Sequence, residues 1–489
     1  MNKLIISGVV VVALVGGAAA ALPLAEGYLA STIKASIESD KTLSVAGVEV
    51  GLLDRQVTLY DVQSKLGVSM NSWKATGLSW PLGDILAGRT PLTGYKLGDP
   101  LQAERIEASG LKTKAVNGLS WSFDSVVLQG VDLERFDADV PPGPNQASAL
   151  TARVLKSLSL RRFEEHNVIY STPMTGDTVG FVSLDGGNVD HGKIGTVTLT
   201  GLEATPKAGT EPVFSMGTLK SDGLDLTRVL TAMSEVSWRP GMPLGRLGID
   251  KMSASGFGGA AMKRYGIALG SISIEVTHQG EVASSSTKIN GFTMTPPSNS
   301  LDGMQARMVM MAMGLQQLKL DLECNGREDR PKNEVVVDHC ALTGDELGQL
   351  DITGKIVNAD EAFWKAMDGG NAFSIYASKA GLGEAKLTLA DKGLLDKSMR
   401  ALGAVSGGSP AMARTNMAGE IRRYQPANVL ITDDMTKLLD TVAQFVEKGG
   451  TLTVEARPDP PFGVNNMRAL QQPGPDLINL LGLSAKISK

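Results

Sequence analysis

The sequence is poor in the residue types that most often carry chemistry. Its 489 residues include two cysteines, four histidines and only 5 % aromatic residues. They form no HExxH motif and no paired-cysteine zinc motif, and no Gly-x-Ser-x-Gly elbow is present. We therefore expect no catalytic residue, no cofactor and no metal ion, and the protein is predicted not to be an enzyme.

The chain also lacks an excess of positive charge. Its formal net charge is −5 and its acids and bases are interspersed, so no basic stripe is available to neutralise a phosphate backbone. Nucleic acid is therefore excluded as an expected partner. The densest acidic cluster comprises Asp132, Glu134, Asp137 and Asp139, and it is more typical of acids that face solvent at the end of a strand than of a cation site.

The long uncharged run lies at the N-terminus, over residues 4–25. About 20 apolar residues suffice to cross a hydrocarbon core of ~30 Å, so residues 1–25 are predicted to be one transmembrane anchor. A cleaved signal peptide is the alternative, with Lys3 as its short basic region and small residues at 18–21 for cleavage. Both interpretations place the rest of the chain in the periplasm, either held by a single pass in a bacterial inner membrane or secreted.

After the anchor, residues 26–45 are predicted to form a juxtamembrane helix, because Leu29, Ile33 and Ile37 recur every four residues. Residues 46–300 then alternate between apolar and polar positions, which is typical of strands with one buried face. The alternation is repeatedly interrupted by a step of three. The residue before the step is glycine in five of six cases, which are Gly110, Gly130, Gly201, Gly256 and Gly291.

A glycine at such a step favours a β-bulge or a bend that absorbs the extra residue. An ordinary strand followed by a turn is the alternative. Residues 301–489 are richer in helical patterns and are predicted to form an α+β C-terminal region. The expected fold is therefore mainly β, with a long, bent or twisted, antiparallel-rich sheet, a few covering helices and an α+β C-terminal part, preceded by one transmembrane helix.

Helices are predicted over residues 225–236, 302–318, 360–367, 394–405, 433–448 and 475–481, with strands at 350–356, 451–456 and 483–487. In the helix over 302–318, four apolar side chains share one face: Met304, Met308, Met311 and Leu315. Methionine adapts to irregular apolar ligands, so these residues are the candidate ligand-facing set of a lid over an acyl-chain groove. Packing against a sheet is the alternative for such a stripe.

The two cysteines, Cys324 and Cys340, stand in two alternating runs that flank a polar turn. A hairpin folded near residue 332 would bring them opposite each other, and an oxidising periplasm would then form a disulfide. Two unrelated core thiols are the alternative.

The anchor, the helix over 27–40 and the stretch VEVGLLDRQVTLYDV at 48–62 together resemble the opening of the AsmA-like and YdgA-like envelope proteins of Gram-negative bacteria. The resemblance extends over residues 1–300. It implies a single-span inner-membrane protein with a periplasmic β body, and for AsmA-like members a curved sheet that handles phospholipid or assists outer-membrane assembly. The helical C-terminal third departs from that pattern.

The leading hypothesis is a lipid-contacting or envelope-maintenance protein, with the inner membrane and a phospholipid or other envelope lipid as partners. The alternative is a periplasmic scaffold without ligand that docks other envelope proteins, and an enzyme acting on glycans or lipids comes third. The first two differ in one physical respect. A groove requires apolar residues on a sheet face that nothing covers, whereas a scaffold buries them all.

Overall fold

The computed structural model describes residues 23–39, 43–64, 67–92, 95–96, 98–113, 120–139, 146–171, 176–227, 249–299, 301–367, 372–425, 429–463, 466 and 474–488. The chain forms two compact units. Unit 1 comprises Met1–Val213 and Thr218–Glu235, and unit 2 comprises Phe214–Gly217 and Val236–Lys489. Strands account for 48 % and helices for 27 % of the structure, which confirms a mainly β protein with a large antiparallel sheet.

The predicted anchor, residues 1–25, lies outside the described residues except for its last three, and the predicted helix over 225–236 lies outside them for most of its length. Within the described residues, no helix is both long and apolar enough to span a bilayer.

Unit 1 is built on an antiparallel meander in which β3 to β9 each pair with the next strand along the chain. A first helix, α1, spans residues 23–39. The strands are β1 Leu43–Ser44, β2 Gly47–Gly51, β3 Gln56–Ser64, β4 Val68–Thr76, β5 Leu101–Thr113, β6 Ser120–Leu133, β7 Leu158–Ser171, β8 Thr178–Asp190, β9 Lys193–Thr205 and β10 Phe214–Asp225. The further helices are α2 Leu82–Leu86 and α3 Gln146–Lys156.

The steps of three in the sequence coincide with backbone in the left-handed region. All five glycines before a step have φ between 61° and 72°, and Asp61, which occupies the sixth step, has φ 50°. In unit 1 the strand pairing keeps its register across the step, as Ser109↔Ser125 and Leu111↔Phe123 show on either side of Gly110. The pairing therefore continues through the step without a shift, and buried apolar residues from the strands of unit 1 form one cluster.

That cluster is the core of unit 1. It includes Val131 on β6, and Leu128, on the other side of Gly130 in the same strand, packs against it. Leu29 of α1 joins it from the helix, which matches the predicted spacing of α1. At Gly130 the step of three thus keeps both flanking residues at the buried cluster. Gly110, Gly130, Gly201 and Gly291 lie inside strands, which confirms that these four glycines mark irregularities within strands, whereas Gly256 directly follows the strand Lys251–Ser255.

Unit 2 is also antiparallel, and its strands follow chain order except where the short strands β12 and β20 pair beside longer ones. The strands are β11 Lys251–Ser255, β12 Ile267–Ala268, β13 Ser271–Gln279, β14 Val282–Met294, β15 Leu318–Asp329, β16 Glu334–Gly344, β17 Gly348–Val357, β18 Gly381–Asp391, β19 Thr451–Ala456, β20 Phe462–Gly463 and β21 Leu483–Ser488. The helices are α4 Ala260–Tyr265, α5 Leu301–Ala312, α6 Glu361–Met367, α7 Leu394–Ser406, α8 Pro410–Arg422, α9 Asp433–Lys448 and α10 Leu477–Leu481, with a 3₁₀ helix at Ala372–Ala377.

Several helices differ from the sequence expectation. The helix predicted over 302–318 ends at Ala312, because Gly314 adopts φ 75° and β15 begins at Leu318. Helices α2, α3, α4 and α8 are additional to those predicted. The domain boundary placed at residue 300 falls inside unit 2, since β14 and β15 pair with each other on either side of α5.

Candidate functional site

One face of the unit 2 sheet carries a continuous apolar row across nine strands. Residues directly opposite each other in antiparallel strands point to the same face, so the register identifies the row. From β11 to β21 its members are Ala254, Ile272, Ile289, Leu322, Leu342, Leu350, Leu389, Leu452 and Ile487.

A second row lies two residues along each strand, on the same face. Its members are Met252, Ile274, Thr287, Cys324, Cys340, Ile352, Leu387, Val454 and Ala485. The structure joins Cys324 and Cys340 in a disulfide between β15 and β16, so the bridge lies in the middle of this apolar face. The hairpin that the sequence predicts around residue 332 is the one observed.

The opposite face of the same strands is polar. The Lys288 ammonium lies 3.0 Å from the Glu323 carboxylate, and the hydrogen bond between them holds the pKa of Glu323 below its usual value. His339 Nδ1 lies 2.5 Å from Asp351 Oδ2, which explains that histidine as a partner of an acid rather than a ligand. The sheet therefore has a polar face that can be exposed to water and an apolar face whose exposure to water is unfavourable.

Helices cover the apolar face only in part. Helices α7, α8 and α9 pack over its β18, β19 and β21 side, where Leu452 is 7 % exposed. Met310 at the end of α5 and Leu315 after it cover Leu318 and Leu320 at the start of β15.

At the other end of the strands, α6 supplies a second cover. Phe363 and Trp364 pack over Val335 and Ile356. Trp364 is buried, and its indole N–H has no acceptor among the described residues. Leu350 and Ile356 lie near the two covered ends of β17. They are six residues apart, which corresponds to about 20 Å along the strand.

The residues between these covers stay exposed. We call Val337, Leu342, Ile352 and Leu387 the apolar patch, because each is a large aliphatic residue on the apolar face and each is 36–42 % exposed. Three adjacent strands, β16, β17 and β18, contribute to it. Gly354 lies opposite Val337 and has no side chain, so the surface of the sheet is recessed beside Val337. An uncovered group of large apolar side chains is typical of a contact site.

The methionine residues singled out from the sequence do not all share one environment. Met304, Met308 and Met311 of α5 are 45 %, 58 % and 60 % exposed, whereas Leu315 is 7 % exposed. Placing Leu315 on their face was wrong, because the helix ends at Ala312 and the chain turns Leu315 into the core. The three methionines therefore remain candidates for a contact, and Leu315 is a core residue.

Two members of the acidic cluster over residues 132–139 pair with basic side chains. Arg153 lies 2.9 Å from the Asp137 carboxylate, and His191 lies 3.7 Å from Glu134. The hydrogen bond that His191 Nδ1–H donates to the Asp190 carboxylate raises the pKa of His191. Among the described residues, no group of three or more His, Cys, Asp or Glu could hold a metal ion.

The apolar patch was not identified from the sequence. The signal that could have found most of it is the local alternation around Leu342, Ile352 and Leu387 in three consecutive strands, which puts these residues on one face. Choosing these residues also requires knowing which strands neighbour each other and where the helices lie, and those are properties of the folded unit.

One comparison with known proteins matches the C-terminal part of the chain. A family model described as "Uncharacterized protein" matches residues 341–487, which includes most of the patch and the helices that flank it. The match extends over less than one third of the chain and its description names no activity. No curated protein matches the chain.

Proposed function

We propose that this chain is a lipid-contacting envelope protein, anchored by residues 1–25 in the inner membrane of a Gram-negative bacterium, with both units in the periplasm. The apolar patch is the surface that contacts acyl chains. The observation that carries the proposal is the exposure of four large aliphatic residues on a sheet face whose ends are otherwise covered by helices.

The chemistry of the patch suits a hydrocarbon better than a polar ligand. Its four residues are aliphatic, and the disulfide beside Ile352 is also apolar. The charged pairs of these strands, such as Lys288 with Glu323, lie on the opposite face. Burial of each methylene group of a chain stabilises the complex by about 0.8 kcal/mol, so a chain laid across three strands would bind without a polar anchor.

The resemblance of residues 1–300 to AsmA-like and YdgA-like proteins supports the same assignment. An anchored body lies next to a bilayer, which supplies acyl chains at high local concentration.

Two matched variants test the proposal. Ile352→Asn places an amide in the apolar patch, and Thr353→Asn places the same side chain on the polar face of the same strand. Intact protein would be extracted from membranes and analysed by native mass spectrometry for bound phospholipid. We expect lipid with the parent chain and with Thr353→Asn, and at least a tenfold loss with Ile352→Asn.

Equal lipid occupancy in both variants, or lipid-free parent protein, would overturn the proposal. A lipid-free parent that instead retains another envelope protein would favour the scaffold, because the patch would then be covered by a protein partner.

A further inference from the structure

Helix α5 has a second apolar stripe that faces away from the unit 2 core. Its buried side is formed by Gly303 and Met310. The exposed stripe consists of Leu301, Met304, Met308 and Met311, spaced by three, four and three residues so that they lie on one side of the helix. Their exposures run from 45 % to 68 %. An exposed apolar stripe of this size on a surface helix is typical of a contact with a further apolar partner.

Cations border this stripe. Arg307 of α5 is exposed, and α4, which contacts α5, ends in the exposed residues Lys263, Arg264 and Tyr265. The Arg264 guanidinium lies 5.5 Å from the centre of the Tyr265 ring. In the sequence of the two helices, Asp302 is the one acidic residue. The two helices therefore contain three basic residues and one acidic residue, in a chain whose net charge is −5.

We propose that α4 and α5 form a docking surface for an anionic lipid bilayer. The exposed stripe enters the boundary between headgroups and acyl chains, the Tyr265 ring lies at headgroup level, and the three cations contact acidic headgroups. Apolar side chains, an aromatic ring and flanking Lys or Arg on short helices are the features of an interfacial membrane contact. This surface is separate from the apolar patch, and the inference does not depend on acyl chains binding there.

The charges argue against a second copy of the chain as the occupant. In a two-fold contact the same surface meets itself, so Lys263, Arg264 and Arg307 would face an identical set of cations. Such like-charge contacts oppose association. An anionic bilayer instead provides about fivefold tighter binding for each cation near its surface.

A local fluorescence readout tests the proposal in the full chain, whose N-terminal segment is identical in all variants. Met308→Cys would be labelled with an environment-sensitive dye, and the protein reconstituted in vesicles of phosphatidylglycerol with phosphatidylethanolamine, or of phosphatidylcholine alone. The native cysteines are joined in a disulfide and do not compete for the label. Val405→Cys is the matched control, since Val405 is an 85 % exposed aliphatic residue on α7.

We expect the emission at position 308 to shift to shorter wavelength in the anionic vesicles only, with no shift at position 405. Replacing Lys263, Arg264 and Arg307 together by Ser should abolish the shift, and replacing Lys263 by Arg should preserve it. Equal shifts at 308 and 405, no shift at 308, or equal shifts in both lipid compositions would overturn the proposal. Ile352→Asn should leave the shift at 308 unchanged, so a failure of lipid binding at the apolar patch is distinguished from a failure here.

Discussion

The two units use the same alternating strands but bury them differently. In unit 1, apolar rows from β3 to β9 join one continuous cluster that also takes Leu29 and Ile33 from α1. In unit 2, the apolar face is divided among three separate clusters, each beneath its own helices, with exposed residues between them. The difference teaches that a strand pattern determines which face is apolar, while the helices determine whether that face is closed.

Removal of the disulfide should produce the largest difference in stability between the two units. The disulfide crosses β15 and β16 beside the apolar patch, where covering helices contribute least. A crosslink that closes a loop of this size, with a sequence separation of 16 residues, stabilises a fold by about 3 kcal/mol. We expect reduction, or Cys324→Ser with Cys340→Ser, to destabilise unit 2 by that amount and leave unit 1 unchanged. Hydrogen exchange resolved by strand, with and without reductant, measures both units in one sample.

The same experiment contains its own control. Protection in β5 to β9 should be the same before and after reduction, and protection in β14 to β17 should fall. Equal losses in the two units, or no loss in β14 to β17, would contradict the idea that the crosslink compensates for the missing cover.

A smaller effect should follow from adding a side chain at a step of three in unit 1. Gly201 has φ 67°, and an added Cβ would lie 2.6 Å from Val182 Cγ2. Gly201→Ala should therefore cost about 1 to 2 kcal/mol, the usual penalty for a left-handed residue with a Cβ. Asp61→Gly is the matched opposite change, because Asp61 holds φ 50° with a side chain. It should leave stability equal or slightly higher in denaturant titrations, and equal losses from both changes would contradict the assignment.

These steps are where sequence reasoning was most informative about the fold. A glycine between two alternating runs indicates both the local backbone and the preserved buried face, because no other residue adopts positive φ so readily. Asp61 shows the limit of that signal, because it adopts the left-handed conformation although it is not a glycine. The helix Asp433–Lys448 was equally predictable, because Thr432 caps its N-terminus and Gly449 follows its end.

The remainder depended on tertiary structure. Helix α8 begins with Ser409 as its cap and Pro410 in its first turn, yet the glycine-rich stretch before it favours a turn. Leu315 continues the spacing of Met304, Met308 and Met311, and only the end of α5 at Ala312 separates it from them. Alternation assigns the patch residues to one face but could not predict their exposure, because exposure depends on helices far away in the sequence.

Glu165 provides the test with the smallest expected effect. It reports how well the apolar face of unit 1 is shielded from water. Glu165 lies on β7 in an otherwise apolar row, directly opposite Val126 on β6 and Leu184 on β8. No hydrogen bond or ion pair joins its carboxylate to another described residue. Burial raises the pKa of Glu165, and burial together with the charge of Glu165 raises the pKa of Tyr170.

A raised pKa in the folded state means that folding favours the protonated acid. Between the unfolded pKa near 4.5 and the raised folded value, the folded state binds more protons, so stability falls as pH increases.

Glu165→Gln removes this loss of stability. We expect the variant's free energy of unfolding to equal the parent's at pH 4 and to exceed it by about 1 kcal/mol at neutral pH. This value is at the low end for a buried group without a hydrogen-bond partner, because Glu165 is partly exposed. Thermal unfolding across pH measures it, with Glu164→Gln as control, since Glu164 lies on the other face 2.8 Å from Arg162. A gain that is independent of pH, or equal in the control, would show that this part of the unit 1 face is open to water.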